Sequence, residues 1–439
     1  MSCVIRLSWR ARLARSAFVL AGMFLAVRAG YAADVPLTFG EALQLAQARS
    51  RQLTAQGAAV QAARETAVSA GQLPDPVLRM GVDNLPVDGM DRFTVGRDFM
   101  TMRRIGVMQE FPREEKRRLR SERGELEAER EASNRLAMLA NVQRDTALAW
   151  LDRYYSEQMR AVLERLLQDT QASIESAQAA YRGGRGSQGD VLAARAAFIM
   201  LEDRRSILDR QVRAARIALA RWIDADAERG LAGPPDIGAL RFDPGNMEHE
   251  LREHPQMDAL SKQVAVAEAD ARLARAAKKA DWSVELAYQQ RGPAFSNMVS
   301  IGVSIPLQIA QGSRQDRDLS AKLALADQTR AQYEDALRAH TAEVRAMIAE
   351  WQSDIERLKR VENELVPLAE QRTQAALAAY RGNTGSLSAV LEARRNERDT
   401  RLQALQLAAD TGRAWAQLNF LFPDYGGQAS PVSMAGSTK

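Results

Sequence analysis

Residues 180–195 read AYRGGRGSQGDVLAAR, and residues 379–394 read AYRGNTGSLSAVLEAR. The two stretches share ten of sixteen positions at a constant offset of 199. Each joins a polar-apolar helical pattern to a glycine-containing break, a serine in N-cap position and a second helical pattern. Gly183 and Gly382 are expected to take positive φ after a helix. Gly186 and Gly385 complete the turns. Ser187 and Ser386 can accept from the first free N–H groups of the next helix. Ser187 and Asp190 have the Ser-x-x-acid spacing of a capping box. The period exceeds that of a solenoid unit, so it marks a duplicated domain built on two helical hairpins.

The start of the chain indicates its compartment. Arg6, Arg10, Arg12 and Arg15 precede an apolar run at 16–27, which is followed by Gly30-Tyr31-Ala32. This is the pattern of a secretory signal peptide over 1–32, with an N-terminal anchor as the alternative. The 439-residue chain has a formal charge of +4, but the predicted signal holds five of its 60 basic residues and no acid. Cleavage would leave 55 basic against 56 acidic residues, which removes the main support for a nucleic-acid partner. Cys3, the only cysteine, would leave with the signal, and its position ahead of the apolar run does not fit a lipoprotein. The mature chain contains no run of 18 apolar residues that could form a transmembrane helix.

The pattern divides the chain into a signal (1–32), a first structural repeat (33–229, tip near 183–189), a linker (230–245), a second repeat (246–422, tip near 382–388) and a disordered tail (423–439). A helix is expected from Thr38 to about Ser69. Alternating stretches then predict strands at 76–84 and 101–111. A helix from 113 to 181 would be about 100 Å long at 1.5 Å per residue. Its apolar seam is expected at Leu148, Leu151, Tyr155, Met159, Val162 and Leu166. The second repeat follows the same plan, with a helix over 246–279, strands at 282–290 and 298–306, and a helix over 312–380.

In the strands Leu78, Met80, Val82, Ile105, Val107, Trp282, Leu286, Tyr288, Val299, Ile301 and Val303 share one parity, and arginines, acids, glycines and serines share the other. No helix is left to cover the apolar side. An apolar outer and polar inner face suits a transmembrane β-barrel. Four strands cannot close one, and an open sheet edge is not tolerated in lipid. Three chains would supply twelve strands. The alternative is a soluble periplasmic coiled-coil adaptor carrying two β-hairpins.

The chain resembles the TolC-type outer-membrane efflux proteins over nearly all of its mature length. The resemblance is carried by Leu37-Thr38-Phe39-Gly40-Glu41-Ala42-Leu43, Leu73-Pro74-Asp75-Pro76, Gln109-Glu110-Phe111-Pro112, Ser304-Ile305-Pro306-Leu307 and the two Tyr-Arg-Gly-x-x-Gly-Ser tips. It implies a mainly α fold with a small β part. Duplicated coiled-coil hairpins would form a trimeric α-barrel, and four strands per chain would enter a shared 12-stranded transmembrane β-barrel. It also implies a homotrimer in outer-membrane lipid with a long periplasmic extension, a periplasmic adaptor (membrane fusion) protein and an inner-membrane pump of RND type.

The same resemblance places the periplasmic gate at the tips. Asp190 and Glu392 are the candidate acidic lining, Ala389 departing from the family pattern. Tyr380 and Arg185 are candidate gate-bond partners, and Tyr181 opens the first tip. Leu73-Pro74-Asp75-Pro76, Asp83-Asn84-Leu85-Pro86 and Thr101-Met102-Arg103-Arg104 resemble the heavy-metal branch, which implies copper/silver or cobalt/zinc/cadmium efflux. Drug efflux and type I secretion are the alternatives. Met80, Met90, Met100, Met102 and Met108 fall in one hairpin, and Met102 and Met108 lie on its polar parity. Thioethers suit soft cations, but Met80 lies on the apolar parity, which argues against one cluster and favours gap-filling as the alternative. His249, His254 and His340 lack metal-pair spacing. No nucleophile, phosphate loop or Ser-His-acid set stands out, so no enzyme activity, cofactor or resident metal is expected.

Overall fold

A computed structural model describes residues 35–424 apart from 383. The predicted signal and all but the first two residues of the predicted tail lie outside it. The second of these is held: Gln143 accepts from the Asp424 N–H at 2.7 Å and donates to its carbonyl at 2.7 Å.

The helices are α1 (Phe39–Arg49), α2 (Arg51–Ala70), α3 (Glu114–Arg182), α4 (Gln188–Ile223), α5 (Met247–Arg252), α6 (Pro255–Ala276), α7 (Gln315–Arg360), α8 (Val366–Arg381) and α9 (Leu387–Asn419). The strands are β1 (Val77–Asp83), β2 (Met102–Phe111), β3 (Trp282–Gln290) and β4 (Met298–Ser304). They form one antiparallel sheet in the order β1-β2-β3-β4. The expected mainly helical fold with four strands is present.

Three helices are more broken than their patterns suggest. The first is cut at Ser50, which takes ψ 111°. There the Arg49 guanidinium turns to the Ile223 carbonyl and to Asp226. The helix expected over 246–279 divides before Pro255, whose His254 neighbour is extended at ψ 130°. The long second-repeat helix widens into a π-turn at Val361–Leu365, immediately before Pro367. Proline lacks the N–H of the ordinary bond and its ring crowds the carbonyl four residues back, so the ladder loosens there. α3 has no proline and runs unbroken for 69 residues.

The described chain forms two compact units, and neither coincides with one sequence repeat. One takes residues 35–50, 141–242 and 346–424. At its centre Phe39 packs edge-on to Trp150 with ring centroids 5.6 Å apart, and Trp415 and Phe420 close the cluster. Burial of such rings is the largest single apolar contribution available to a helical core. The predicted linker is strapped to this unit. Leu37 pairs with Leu231, while the Trp351 and Trp415 indoles donate to the Ile237 and Ala239 carbonyls at 3.1 and 2.8 Å. The α3 seam is also displaced by one position beyond Tyr155: Leu163, Leu167, Ile174 and Ala177 are buried, and Val162 and Leu166 are only partly covered. Leu163 and Leu167 are the pair that packs in one buried cluster with Leu201 and Leu208.

The other unit takes 51–140 and 243–345. Here α2 and α3 approach so closely that a Cβ on Gly124 would stand 2.6 Å from Ala67 Cα. Arg123–Asp270 at 2.6 Å and Lys262–Glu129 at 2.6 Å tie α3 to α6. The sheet belongs to this unit.

Candidate functional site

Two places hold the residues singled out in the sequence: the hairpin tips and the sheet. At the first tip the Gly183 N–H donates to Ala179 at 3.0 Å, Arg185 to Ala180 at 2.9 Å and Gly186 to Ala180 at 3.1 Å. At the second, Gly382 donates to Ala378 at 2.9 Å, Thr384 to Ala379 at 2.9 Å and Gly385 to Ala379 at 3.1 Å. The hydrogen-bond pattern repeats with the same 199-residue offset as the sequence. The positive φ is not where it was expected. Gly184, at φ 71°, carries it, and Gly382 has φ −80°. Gly183 is the last-turn residue that still bonds four positions back, so the left-handed step falls one residue later. The corresponding position in the second tip, 383, is outside the described residues.

Gly186 and Gly385 are needed for a different reason. A Cβ on Gly186 would lie 3.1 Å from Ala180 Cβ, and one on Gly385 would lie 3.0 Å from Ala379 Cβ. The chain therefore folds back directly onto the end of its own helix. Ser187 Oγ accepts from the Asp190 N–H at 3.1 Å, and Ser386 Oγ accepts from the Ala389 N–H at 3.2 Å.

The tips differ in their acids. Asp190 completes its capping box, accepting from the Ser187 N–H at 3.0 Å and the Ser187 hydroxyl at 2.8 Å. These bonds, the backbone one first, hold its carboxyl below the usual aspartate range. Glu392 has no ion pair among the described residues. It lines a groove of about 360 Å³ between α3, α4 and α9, together with Ala193, Met200, Leu391 and Arg395. Ala193 is the first-repeat counterpart of Glu392, so a charged and an uncharged copy of one position line the same groove. Among the described residues, Tyr380 and Arg185 bond neither acid. The Tyr380 ring packs on Ala177, Val191 and Leu387, while Arg185 and Tyr181 are exposed. Arg394 donates to the Asp169 carbonyl at 2.8 Å and to Ser173 Oγ at 2.6 Å. Nothing in the sequence distinguishes Arg394 from its counterpart Arg195, which is the same residue.

The sheet separates its faces as the alternation predicts. Leu78 opposes Val107, Val107 opposes Leu286, and Leu286 opposes Ile301. All four are exposed, with Ile301 at 75%. The other face joins Arg79 to Glu285 at 3.3 Å, Arg104 to the same carboxylate, and Arg104 to Asp83 at 3.7 Å. Met102 and Met108 lie half-buried on this polar face, opposite Asp83 and Val77. Met80 is on the apolar face and Met90 is fully exposed. The ion-paired residues were not singled out in the sequence. Their shared parity was legible, but the cross-strand register that brings Arg79 and Glu285 together, 206 positions apart, was not. Phe111 stacks on Trp282 at 4.6 Å at one end of the sheet, and Arg291 lies 5.0 Å over Phe295 at the other. Among the described residues no helix is long and apolar enough to cross a membrane, and no cluster of three or more metal-binding side chains occurs.

A family model described as outer membrane efflux protein matches residues 247–422. No curated protein sequence matches. Among solved structures, the outer-membrane channel OprN is similar at a TM-score of 0.74 and 18% identity, over 88% of this chain and 90% of that one. CusC is similar at 0.75 and 16%, over 89% and 93%. The open state of the Neisseria gonorrhoeae MtrE outer membrane channel is similar at 0.72 and 16%, over 87% and 88%. The outer membrane efflux protein model thus covers the second repeat, and the fold along most of the chain is that of these solved channels.

Proposed function

We propose that three copies of this chain form the outer-membrane duct of a tripartite efflux assembly, joined to a periplasmic adaptor and an inner-membrane pump of RND type. The observation that carries the reading is the exposed apolar face of the four-stranded sheet. A row such as Leu78–Val107–Leu286–Ile301, open on a monomer, has a place in lipid once twelve strands close. Strands of 7 to 10 residues suit an apolar band about 25 Å tall. The stacked Phe111–Trp282 pair at one end of the sheet and Phe295 at the other suit its interfacial girdles. Family and fold favour this duct over a soluble adaptor.

The tips are the periplasmic mouth in this reading. Glu392 is the principal acidic lining residue, because its carboxylate has no ion pair among the described residues. Asp190 adds a second ring of charge whose carboxylates are already occupied by Ser187. An acidic constriction favours cations.

The proposed cargo is heavy-metal cations. Met102 and Met108 on the polar face are joined by Met298, which the register places there opposite Gln289. Thioethers in a duct offer weak, exchangeable contacts to soft ions. The test uses a strain lacking this gene. Sensitivity to silver, copper, zinc and cadmium salts is compared with sensitivity to hydrophobic drugs, with and without the gene restored. Metal sensitivity alone supports the cargo assignment, whereas drug sensitivity alone replaces it. A detergent-dependent trimer in native mass measurement tests the duct itself, and a soluble monomer overturns it.

A further inference from the structure

We propose that the strap Arg79–Glu285–Arg104–Asp83 sets the charge selectivity of the barrel interior, with Glu285 as the deciding residue. The proposal rests on the duct reading, in which the polar face of the sheet faces the lumen.

Glu285 stands on β3. It is reached from β2 by Arg104 and, across β2, from β1 by Arg79. Neighbouring strands are about 4.8 Å apart, so the Arg79 side chain crosses roughly 10 Å of sheet. It can do so because the residues in its path are small. Arg79 is opposite Gly106, and Gly106 is opposite Ala287. A Cβ on Gly106 would lie 2.8 Å from Ala287 Cβ. Both residues are buried on a sheet whose other side is open. Arg104 extends the strap to Asp83 near the strand end.

The strap therefore fixes two guanidinium groups against the wall and neutralises them there. The charged groups on the polar face of the strands are Arg79 and Arg104 against Asp83, Glu110 and Glu285, an excess of one carboxylate per chain. A single substitution at Glu285 changes both the sum and the geometry. Without the carboxylate Arg79 loses its ion-pair partner and Arg104 keeps only the longer contact to Asp83, so positive charge turns toward the lumen. A ring of fixed charge in a pore selects the opposite ion.

The test is the reversal potential of the full-length protein in planar bilayers under a KCl gradient. Each variant is made in the unaltered chain and in a Glu392→Gln background, so that charge at the tip cannot mask the barrel. Glu285→Lys should lower the potassium-to-chloride permeability ratio severalfold. Glu285→Gln should lower it less, and Arg79→Gln with Arg104→Gln should raise it. If Glu285→Lys fails to assemble, the double arginine variant carries the test by its opposite sign. An unchanged ratio in both backgrounds overturns the proposal and leaves the strap as a structural staple. An unaltered chain that makes no channels overturns the duct reading, and this inference with it.

Discussion

The two hairpins begin from one sequence plan and reach their tips by different helices. The first arrives on α3, which is α-helical throughout. The second arrives through α7, a π-turn and α8. Pro367 corresponds, at the offset of 199, to Gln168. Their tips then have the same backbone bonds and different chemistry. The first spends its acid on its own helix start, and the second leaves Glu392 in a groove. Duplication has kept the turn, where backbone geometry admits few residues, and has allowed the sides to diverge.

The largest way to break this comparison is to give the first hairpin the second one's proline. Gln168→Pro should destabilise the region by about 3 kcal/mol, because α3 has no widened turn to receive the ring. Hydrogen exchange around 160–172 should accelerate, while Pro367→Gln should slow exchange around 361–365. Equal exchange in both cases would falsify the view that Pro367 causes the π-turn.

Gly186→Val and Gly385→Val probe what the tips share. Each forces a side chain onto Ala180 or Ala379 and should cost about 2 kcal/mol. The two losses should match, and thermal melting of each variant in detergent checks this. A loss at one tip alone would show that the common bonding pattern hides unequal packing.

A smaller effect separates the paired arginines. Arg394→Ala removes two hydrogen bonds to α3 and leaves the buried Ser173 hydroxyl with less support, so about 1.5 kcal/mol is expected. Arg195→Ala, at an exposed position, should change little. A urea titration of both variants decides whether the asymmetry is energetic.

The smallest prediction concerns the acids. Asp190→Ala should loosen the start of α4 by about 0.5 kcal/mol, and Ala389→Asp should tighten the start of α9 by a similar amount. Because the folded-state pKa of Asp190 is depressed, its contribution is present above the ordinary aspartate range. It disappears as pH falls through the lower folded value. The difference between Asp190→Ala and the unaltered chain should therefore vanish in strong acid. Hydrogen exchange at 187–191 across that pH range measures it.

Much of the architecture was legible because it depends on local rules. Alternation located every strand to within two residues, and the Ser-x-x-Asp spacing gave the Ser187–Asp190 box with both of its bonds. The left-handed residue was misplaced by one, because a run of two glycines offers both positions equally and only the last helical bond decides between them. The seam beyond Tyr155 slipped because apolar residues at both 162 and 163, and at 166 and 167, fit a helical stripe. Packing against Leu201 and Leu208 selects Leu163 and Leu167. The strap on the sheet was hidden for a deeper reason: it depends on strand order and register between repeats, which no local pattern encodes. Glu392 and Ala193 likewise became neighbours of one groove only in three dimensions.

The π-turn also bears on how the second hairpin could change its length. A π-turn holds one residue more than the α-helical turn it replaces. Val361–Leu365 is thus a reservoir of one spare residue within a helix that otherwise fixes the angular position of everything after it. Removing a residue there, together with Pro367→Ala, would close the turn into an α-helix while the face presented by α8 kept its orientation. Elsewhere in α7 the same deletion would rotate the rest of the hairpin by about 100°. A one-residue deletion is therefore expected to be tolerated at this point of the arm, whereas unbroken α3 offers no equivalent turn.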